Sequence, residues 1–405
     1  MNYIIKNIAQ LVTCSGFEAK HGQDMSDLGI IENGMIVITD GIISYVGKTS
    51  TNQHIDTSNH QIIDASGKAV LPGFIDSHTH FVFGGYREEE FSWRMKGDSY
   101  MSIMNRGGGI YNTVNATREA SFEELKQSAR KRLDEMLAMG VTTVEGKSGY
   151  GLDKDTELKQ LRVMKELNAE HPVDIVSTFL GAHAVPKDYT EKEYISFMLN
   201  EVMPVIKEEN LAECCDIFCE KGVFSTEASR YYLQESAKMG FQLKIHADEI
   251  VNTAGAELAA EVGALSADHL LQASEKGIKA LATSQTVATL LPNTAFTLKE
   301  DFAKGREMID AGCAVALATD LNPGSSFTSS IPLTIALACI YMKLTPEEAV
   351  TALTINAAAA LGKEKSIGSI DVGKKGDVII LGYPSYKFLP YHAGMNCVER
   401  VISCK

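Results

Sequence analysis

Apolar and polar positions along the chain fall into three textures. From residue 1 to about 65, short β-branched runs alternate with tight turns. The clearest is MIVITDGIISYVG, where Asp40-Gly41 between two such runs predicts a hairpin. From about Ile367 the texture returns in IGSIDVGKKGDVIIL. Between these ends, strand-like and helix-like stretches alternate. SFEELKQSARKRLDEMLAMG reads as a helix, with Ser121 and Glu124 at capping-box spacing and Gly140 as its stop. Strands are predicted at LPGFIDSHTH, VTTVEGK, DIVSTFLGAH, CCDIFCE, QLKIHADE, ALSADHL, QTVATLLP and AVALATDLNPG, with helical segments such as TELKQLRVMKELNAEH and EKEYISFMLNEVMPVIKEEN between them. A last helix is expected over LTPEEAVTALTINAAAALG, with Thr345 as N-cap.

Eight strand-helix units point to an α/β fold, a closed (β/α)8 TIM-like barrel, rather than a doubly wound sheet, because no glycine-rich dinucleotide fingerprint or P-loop is present. The two β-rich ends are expected to form a small β-sandwich domain, giving residues 1–66 and 365–405 to that domain and 67–364 to the barrel.

Composition narrows the partners. The 405 residues are 45% hydrophobic and 22% charged, enough for a large core, and the net charge of −14 argues against a nucleic-acid or anionic-membrane surface. No apolar run approaches a membrane span and the N-terminus lacks signal-peptide design, so the expected location is cytoplasmic. The eight cysteines show no Cys-x-x-Cys pair and are read as reduced, buried groups. Cys214, Cys215 and Cys219 lie on one predicted strand, whose adjacent residues face opposite ways, which argues against a structural zinc.

A barrel places its chemistry at the C-terminal ends of its strands. Strand one ends in His78 and His80, strand three in His183, strand five in His246, strand six in His269 and strand eight in Asp320. Residues two apart in extended chain share a face, so His-x-His aims two imidazoles at one point. His78, His80, His246 and Asp320 are assigned to a divalent metal, Zn²⁺ or Fe²⁺ with Zn²⁺ favoured, although Mn²⁺ suits the same set. Such an ion activates water, and Asp320 is placed to take that water's proton. His21, His54, His60, His171 and His392 fall in peripheral segments and are expected to be structural.

The Pro-Gly-Phe-Ile-Asp-Ser-His-Thr-His stretch, the histidines of KIHADE and SADHL, and the aspartate of ALATDLNPG resemble the amidohydrolase superfamily. FVFGGYREEEF, EGKSGYGLD, STFLGAHAVP and ATDLNPGSS narrow the resemblance to its histidine-degrading branch. That resemblance implies hydrolysis of the cyclic amide of 4-imidazolone-5-propanoate to N-formimino-L-glutamate, one divalent metal per chain, and a homodimer. Another cyclic amidohydrolase, an amino-heterocycle deaminase and a non-catalytic relative are the alternatives. For a small anionic heterocycle, Arg87 would clamp the propanoate, though by sequence it could equally pair with Glu88, Glu89 or Glu90. Tyr150 and His183 would meet the ring, and Glu249 its nitrogens or the attacking water. His269, with Glu249, would move protons, and Asn322, Gly324 and Ser325 would hold a carboxylate. Glu220 and Lys221 end strand four, where two-metal members carry a bridging residue, but CEKGVF does not suit that role. Lys147 is read as structural or substrate-adjacent.

Overall fold

The structure, a computed structural model, describes residues 1–51, 58–98 and 106–405. His54 lies outside the described residues. Five strands open the chain: β1 (Tyr3–Val12), β2 (Ile30–Thr39), β3 (Ile42–Lys48), β4 (Gln61–Asp64) and β5 (Ala69–Pro72). Eight more follow: β6 (Phe74–Asp76), β7 (Val141–Lys147), β8 (Asp174–Ala182), β9 (Cys214–Cys219), β10 (Gln242–Ala247), β11 (Ser266–His269), β12 (Val287–Leu290) and β13 (Val315–Leu317). The chain ends with β14 (Val378–Leu381) and β15 (Val398–Ile402).

Strands β6 to β13 pair in sequence order and in parallel, one strand for each predicted stretch. Parallel bridging of Thr79 with Leu321 closes the ring just above β6 and β13. The amides of Asp320 and His80 donate to the carbonyls of His78 and Leu321, so closure is made by the very residues expected to carry chemistry. Asp76, buried on β6, accepts from the amide (2.9 Å) and hydroxyl (2.6 Å) of Thr319 and ties the same seam.

The helices follow their local rules. Ser121 and Glu124 form the predicted capping box on the helix Phe122–Ala138. The helical stretch from Glu191 to Glu209 is continuous but contains a wide π turn over Met198–Val202, beside Pro204, which lacks the amide a regular turn requires. The helix expected over 344–362 is instead two, Pro346–Ala352 and Ile355–Ala359. Thr354, at φ −126° and ψ −100°, breaks it, its hydroxyl bonding back to the Val350 carbonyl. The freed Leu353 carbonyl accepts the Ile75 amide of β6, an exchange that periodicity does not encode.

The chain ends join in one mixed sheet of order β15-β14-β5-β1-β2-β3, with β4 also on β1. The Asp40-Gly41 turn links β2 and β3 with both residues at positive φ, 51° and 79°. Bridging of Ile42 with Lys375 brings β3 back toward the segment entering β14. Ile5, Ile38, Ile43, Ile380 and Ile402, from strands across the whole sheet, share one core. One curled sheet therefore makes the enclosed core that a sandwich makes with two. Strand β5, on the barrel side of a boundary drawn at residue 67, pairs with β1 and β14 in this small sheet, so the chain passes to the barrel between Pro72 and Phe74. Among the described residues no helix is long and apolar enough to cross a membrane.

Candidate active site

His78, His80, His246, His269 and Asp320 converge at the C-terminal rim of the barrel. Ring centroids lie 5.3 Å apart for His78 and His80, 4.6 Å for His78 and His246, and 5.2 Å for His246 and His269. Asp320 Oδ1 is 3.6 Å from His78 Nε2 and 3.5 Å from His80 Nε2. All five side chains are buried. The His78, His80 and Asp320 donor atoms approach one another within 4.8 Å, and so do those of His78, His246 and His269.

These donors fit a divalent ion. His78 Nε2, His80 Nδ1 and both ring nitrogens of His246 are buried with no hydrogen-bond partner, a costly arrangement for polar atoms that a cation on the one lone-pair nitrogen of each neutral ring would relieve. Burial first, then the charge of Lys147 and the neighbouring imidazoles, lowers the pKa of His78 well below the usual histidine value. Burial also leads for His80 and His246, so all three are neutral, as ligation requires.

Two of the key residues sit in backbone conformations that side chains rarely adopt: Asp320 at φ 51° and His269 at φ 78°. Thr294 donates to Asp320 Oδ2 at 2.5 Å, leaving Oδ1 toward the imidazoles. Burial raises the Asp320 pKa to about 7. Glu249 stands 3.6 Å from His269 Nδ1, and its pKa is pushed up to about 8 by burial, then by Asp320, Glu220 and Glu300. His269 is lowered to about 4, again mainly by burial.

His183 Nδ1 pairs with the Gly149 carbonyl at 3.0 Å, which makes the remaining nitrogen an acceptor, and its ring stacks on His80 at 5.1 Å and 12°. Tyr150 is buried, its ring 5.7 Å from His80 and 5.4 Å from His183. Arg87 does pair with Glu90, through Nε (2.9 Å) and Nη2 (2.8 Å), but inside the protein rather than on a solvated face: Glu90 is 1% exposed. The other Glu90 oxygen accepts from the Gly109 amide and the Asn112 carboxamide. Glu90 thus holds Arg87 side-on through one oxygen and leaves Nη1 beside Gly324.

The 322–325 loop departs from expectation. The amides of Gly324 and Ser325 both donate to Asn322 Oδ1 at 2.8 Å, so they are already satisfied within the loop instead of standing open to a carboxylate. Asn322 Nδ2 in turn holds the Asp320 carbonyl at 2.7 Å. What Gly324 contributes is space, since a Cβ there would lie 2.1 Å from Arg87 Nη1. Gly324→Ala is expected to displace the guanidinium and raise KM about tenfold or more, with the fold intact. Steady-state kinetics beside a thermal melt tests this, and an unchanged KM contradicts it.

The sequence profile of the amidohydrolase family matches residues 69–403. The imidazolonepropionase of Clostridium tetani is 61% identical over 404 residues, 99% of this chain and 96% of that one. That of Parabacteroides distasonis is 62% identical over 402 residues, 98% of this chain and 97% of its own. The chain belongs to the imidazolonepropionase family. Among solved structures, a zinc-bound adenosine deaminase from Xanthomonas campestris superposes with TM-score 0.74 at 18% identity, covering 99% of this chain and 91% of its own. A guanine deaminase from C. acetobutylicum with bound guanine gives 0.74 at 16%, covering 100% and 99%. At these identities they show that the fold is shared.

Several groups around this imidazolonepropionase-family site escape a reading of strand ends. Thr294 opens the helix Pro292–Leu298 and looks like an ordinary helix residue. Glu220 accepts the amides of Lys221, Ile250 and Val251 and so clamps the loop that carries Glu249. Glu145, Lys147, Asp216, Lys244 and Asp268 are fully buried charges within the strands. The signal for these was present: charged residues inside β-branched and apolar runs such as VTTVEGK and CCDIFCE demand partners. His21, His60, His171 and His392 each have a neighbouring polar partner away from the site, and the cysteines are unpaired.

The Glu249 pKa sets a sign for stability. A carboxyl raised from 4.5 to about 8 on folding favours the folded state at low pH, and that contribution is lost as pH rises through about 8. In chelator-stripped protein, Glu249→Gln is therefore expected to show a smaller fall in thermal midpoint between about pH 5 and 8 than the parent, and the fall that remains has contributions from other buried carboxyls such as Asp320 and Asp76, both raised to about 7. Parallel curves for the two proteins would contradict the assignment.

Proposed function

We propose that this chain hydrolyses 4-imidazolone-5-propanoate to N-formimino-L-glutamate. Water adds at the ring carbonyl, the carbonyl carbon–nitrogen bond breaks, and that carbon becomes a carboxylate while the nitrogen takes a proton. The observation that carries this reading is the convergence of His78, His80, His246 and Asp320, with buried unpartnered nitrogens, in a chain of the imidazolonepropionase family.

Those four residues would hold a single divalent ion, Zn²⁺ in preference to Fe²⁺, whose Lewis acidity would activate water and polarise the carbonyl. Asp320 takes the proton of the attacking water; Thr294 fixes one of its oxygens so that the other serves as base. Glu249, with its pKa raised to about 8, is protonated at neutral pH and suits proton delivery to the leaving nitrogen, through or beside His269. Arg87, oriented by Glu90, holds the propanoate. Tyr150 and His183 flank the ring, and the Asn322, Gly324 and Ser325 loop forms the wall that keeps Arg87 in place. Homodimeric state and cytoplasmic location belong to the same reading and rest on the family resemblance.

Product analysis separates this reading from deamination of an amino-heterocycle. Ring opening yields N-formimino-L-glutamate without ammonia, and ammonia released from an intact ring would favour the alternative.

A further inference from the structure

Directly beneath the imidazoles, the barrel interior is filled with charge where bulky apolar side chains are the usual packing. Glu145 and Lys147 from β7, Asp216 from β9, Lys244 from β10 and Asp268 from β11 all have fully buried side chains. Three carboxylates and two ammonium groups out of water are expensive unless each is paired, and apolar residues of similar volume would fill the layer at lower cost. Something other than packing has to account for their presence.

The pairing is specific. Lys147 Nζ donates to Asp216 at 2.7 Å and to Glu145 at 3.0 Å, and its charge faces Asp268 at 3.4 Å, an ion pair without hydrogen-bond alignment. Lys244 donates to the carbonyls of Ser77 and Ala360, and its charge stands 3.2 Å from the other Glu145 oxygen without hydrogen-bond alignment. Two of the three carboxylates also face imidazoles. Asp268 Oδ2 is 2.6 Å from His78 Nδ1, while its Oδ1 accepts from Ser266 at 2.5 Å, so the carboxylate cannot swing away. Asp216 Oδ2 is 3.0 Å from His246 Nδ1, though without hydrogen-bond alignment, and its Oδ1 accepts the backbone amides of Ile217 and His246. A neutral imidazole whose Nδ1 donates to a carboxylate presents Nε2 as a lone pair. Of the two, His78 is fully locked in this way, and His246 is poised to be.

We propose that Lys147 is the hub of a buried positioning network: its ammonium joins the carboxylates of Asp268 and Asp216, which orient the imidazoles of His78 and His246 toward one metal ion. Lys147 touches neither imidazole and acts through the two aspartates. The inference rests on the reading that His78 and His246 hold a metal, and it adds that the two ligands are set jointly rather than one by one.

The test is Zn²⁺ affinity, measured by competition with a chelating indicator on the parent, Lys147→Met, Asp268→Asn, Asp216→Asn and the Lys147→Met/Asp268→Asn pair. Circular dichroism and melting of the stripped proteins report folding separately. Removing a group that orients a ligand weakens metal binding by about 10–100-fold, so that loss is expected for Lys147→Met and for Asp268→Asn. The pair should lose less than the sum of the two single losses, because Lys147 reaches His78 through Asp268. Folded Lys147→Met and Asp268→Asn proteins that bind Zn²⁺ within about twofold of the parent, well short of that range, would overturn the proposal and leave the network a packing device. If Lys147→Met does not fold, the near-isosteric Asp268→Asn and Asp216→Asn variants decide. Weakened affinity in both, with a double variant that loses less than the sum of the two, supports the hub on a native fold; parental affinity in both, or additive losses, overturns it. A parent that binds no Zn²⁺ instead overturns the metal reading itself.

Discussion

Asp320→Asn is expected to lower kcat by about 10²- to 10⁴-fold, the range for loss of a positioned general base. The substitution keeps the shape of the side chain and its contact with Thr294, but removes the only carboxylate within 4 Å of both His78 and His80 among the described residues. Burial already raises the Asp320 pKa to about 7, so a neutral side chain relieves a desolvation cost and the stripped variant should melt no lower than the parent. Activity loss without stability loss is therefore the signature. Zn²⁺ affinity should fall as well, so kcat is measured at saturating metal. A variant that retains more than about a tenth of parental kcat under those conditions would remove Asp320 from the proton path.

Arg87→Gln is expected to lower kcat/KM by about 10²- to 10³-fold, mostly through KM. Truncating one partner of a buried charged pair costs roughly 2–5 kcal/mol, and each 1.4 kcal/mol is a factor of ten. Here the deletion costs twice, since the substrate carboxylate loses its clamp and Glu90, 1% exposed, loses the cation that neutralises it. Adding Glu90→Gln separates the two effects: the double variant should recover stability but not affinity. An analogue of the ring without the propanoate should be nearly indifferent to Arg87→Gln. Equal losses for both compounds would mean that Arg87 shapes the site without binding the anion.

The barrel and its active rim were largely legible in the chain because both follow local rules. Eight apolar runs and the capping signals give the strand-helix alternation, and the position of His78, His80, His246, His269 and Asp320 at run ends follows from barrel geometry. What stayed hidden depends on contacts between distant segments. The break at Thr354 frees the Leu353 carbonyl for the Ile75 amide of β6, and Thr294 matters only because its helix reaches Asp320. The charges of VTTVEGK and CCDIFCE were visible as residues, but which carboxylate Lys147 would join, and which imidazole each would orient, required strands β7, β9, β10 and β11 to be assembled beside the segment after β6. The 322–325 loop shows the converse error: small polar residues suggest open donors, whereas Asn322 consumes them.

The most direct test is an ultraviolet assay with fresh 4-imidazolone-5-propanoate, following loss of the conjugated ring against its spontaneous decay, with metal-analysed protein and the same protein stripped by chelator. Rapid loss that disappears on stripping, returns with Zn²⁺ and yields N-formimino-L-glutamate is the predicted result. No acceleration by protein carrying about one metal per chain would contradict the assigned substrate while leaving the barrel and its histidine cluster in place.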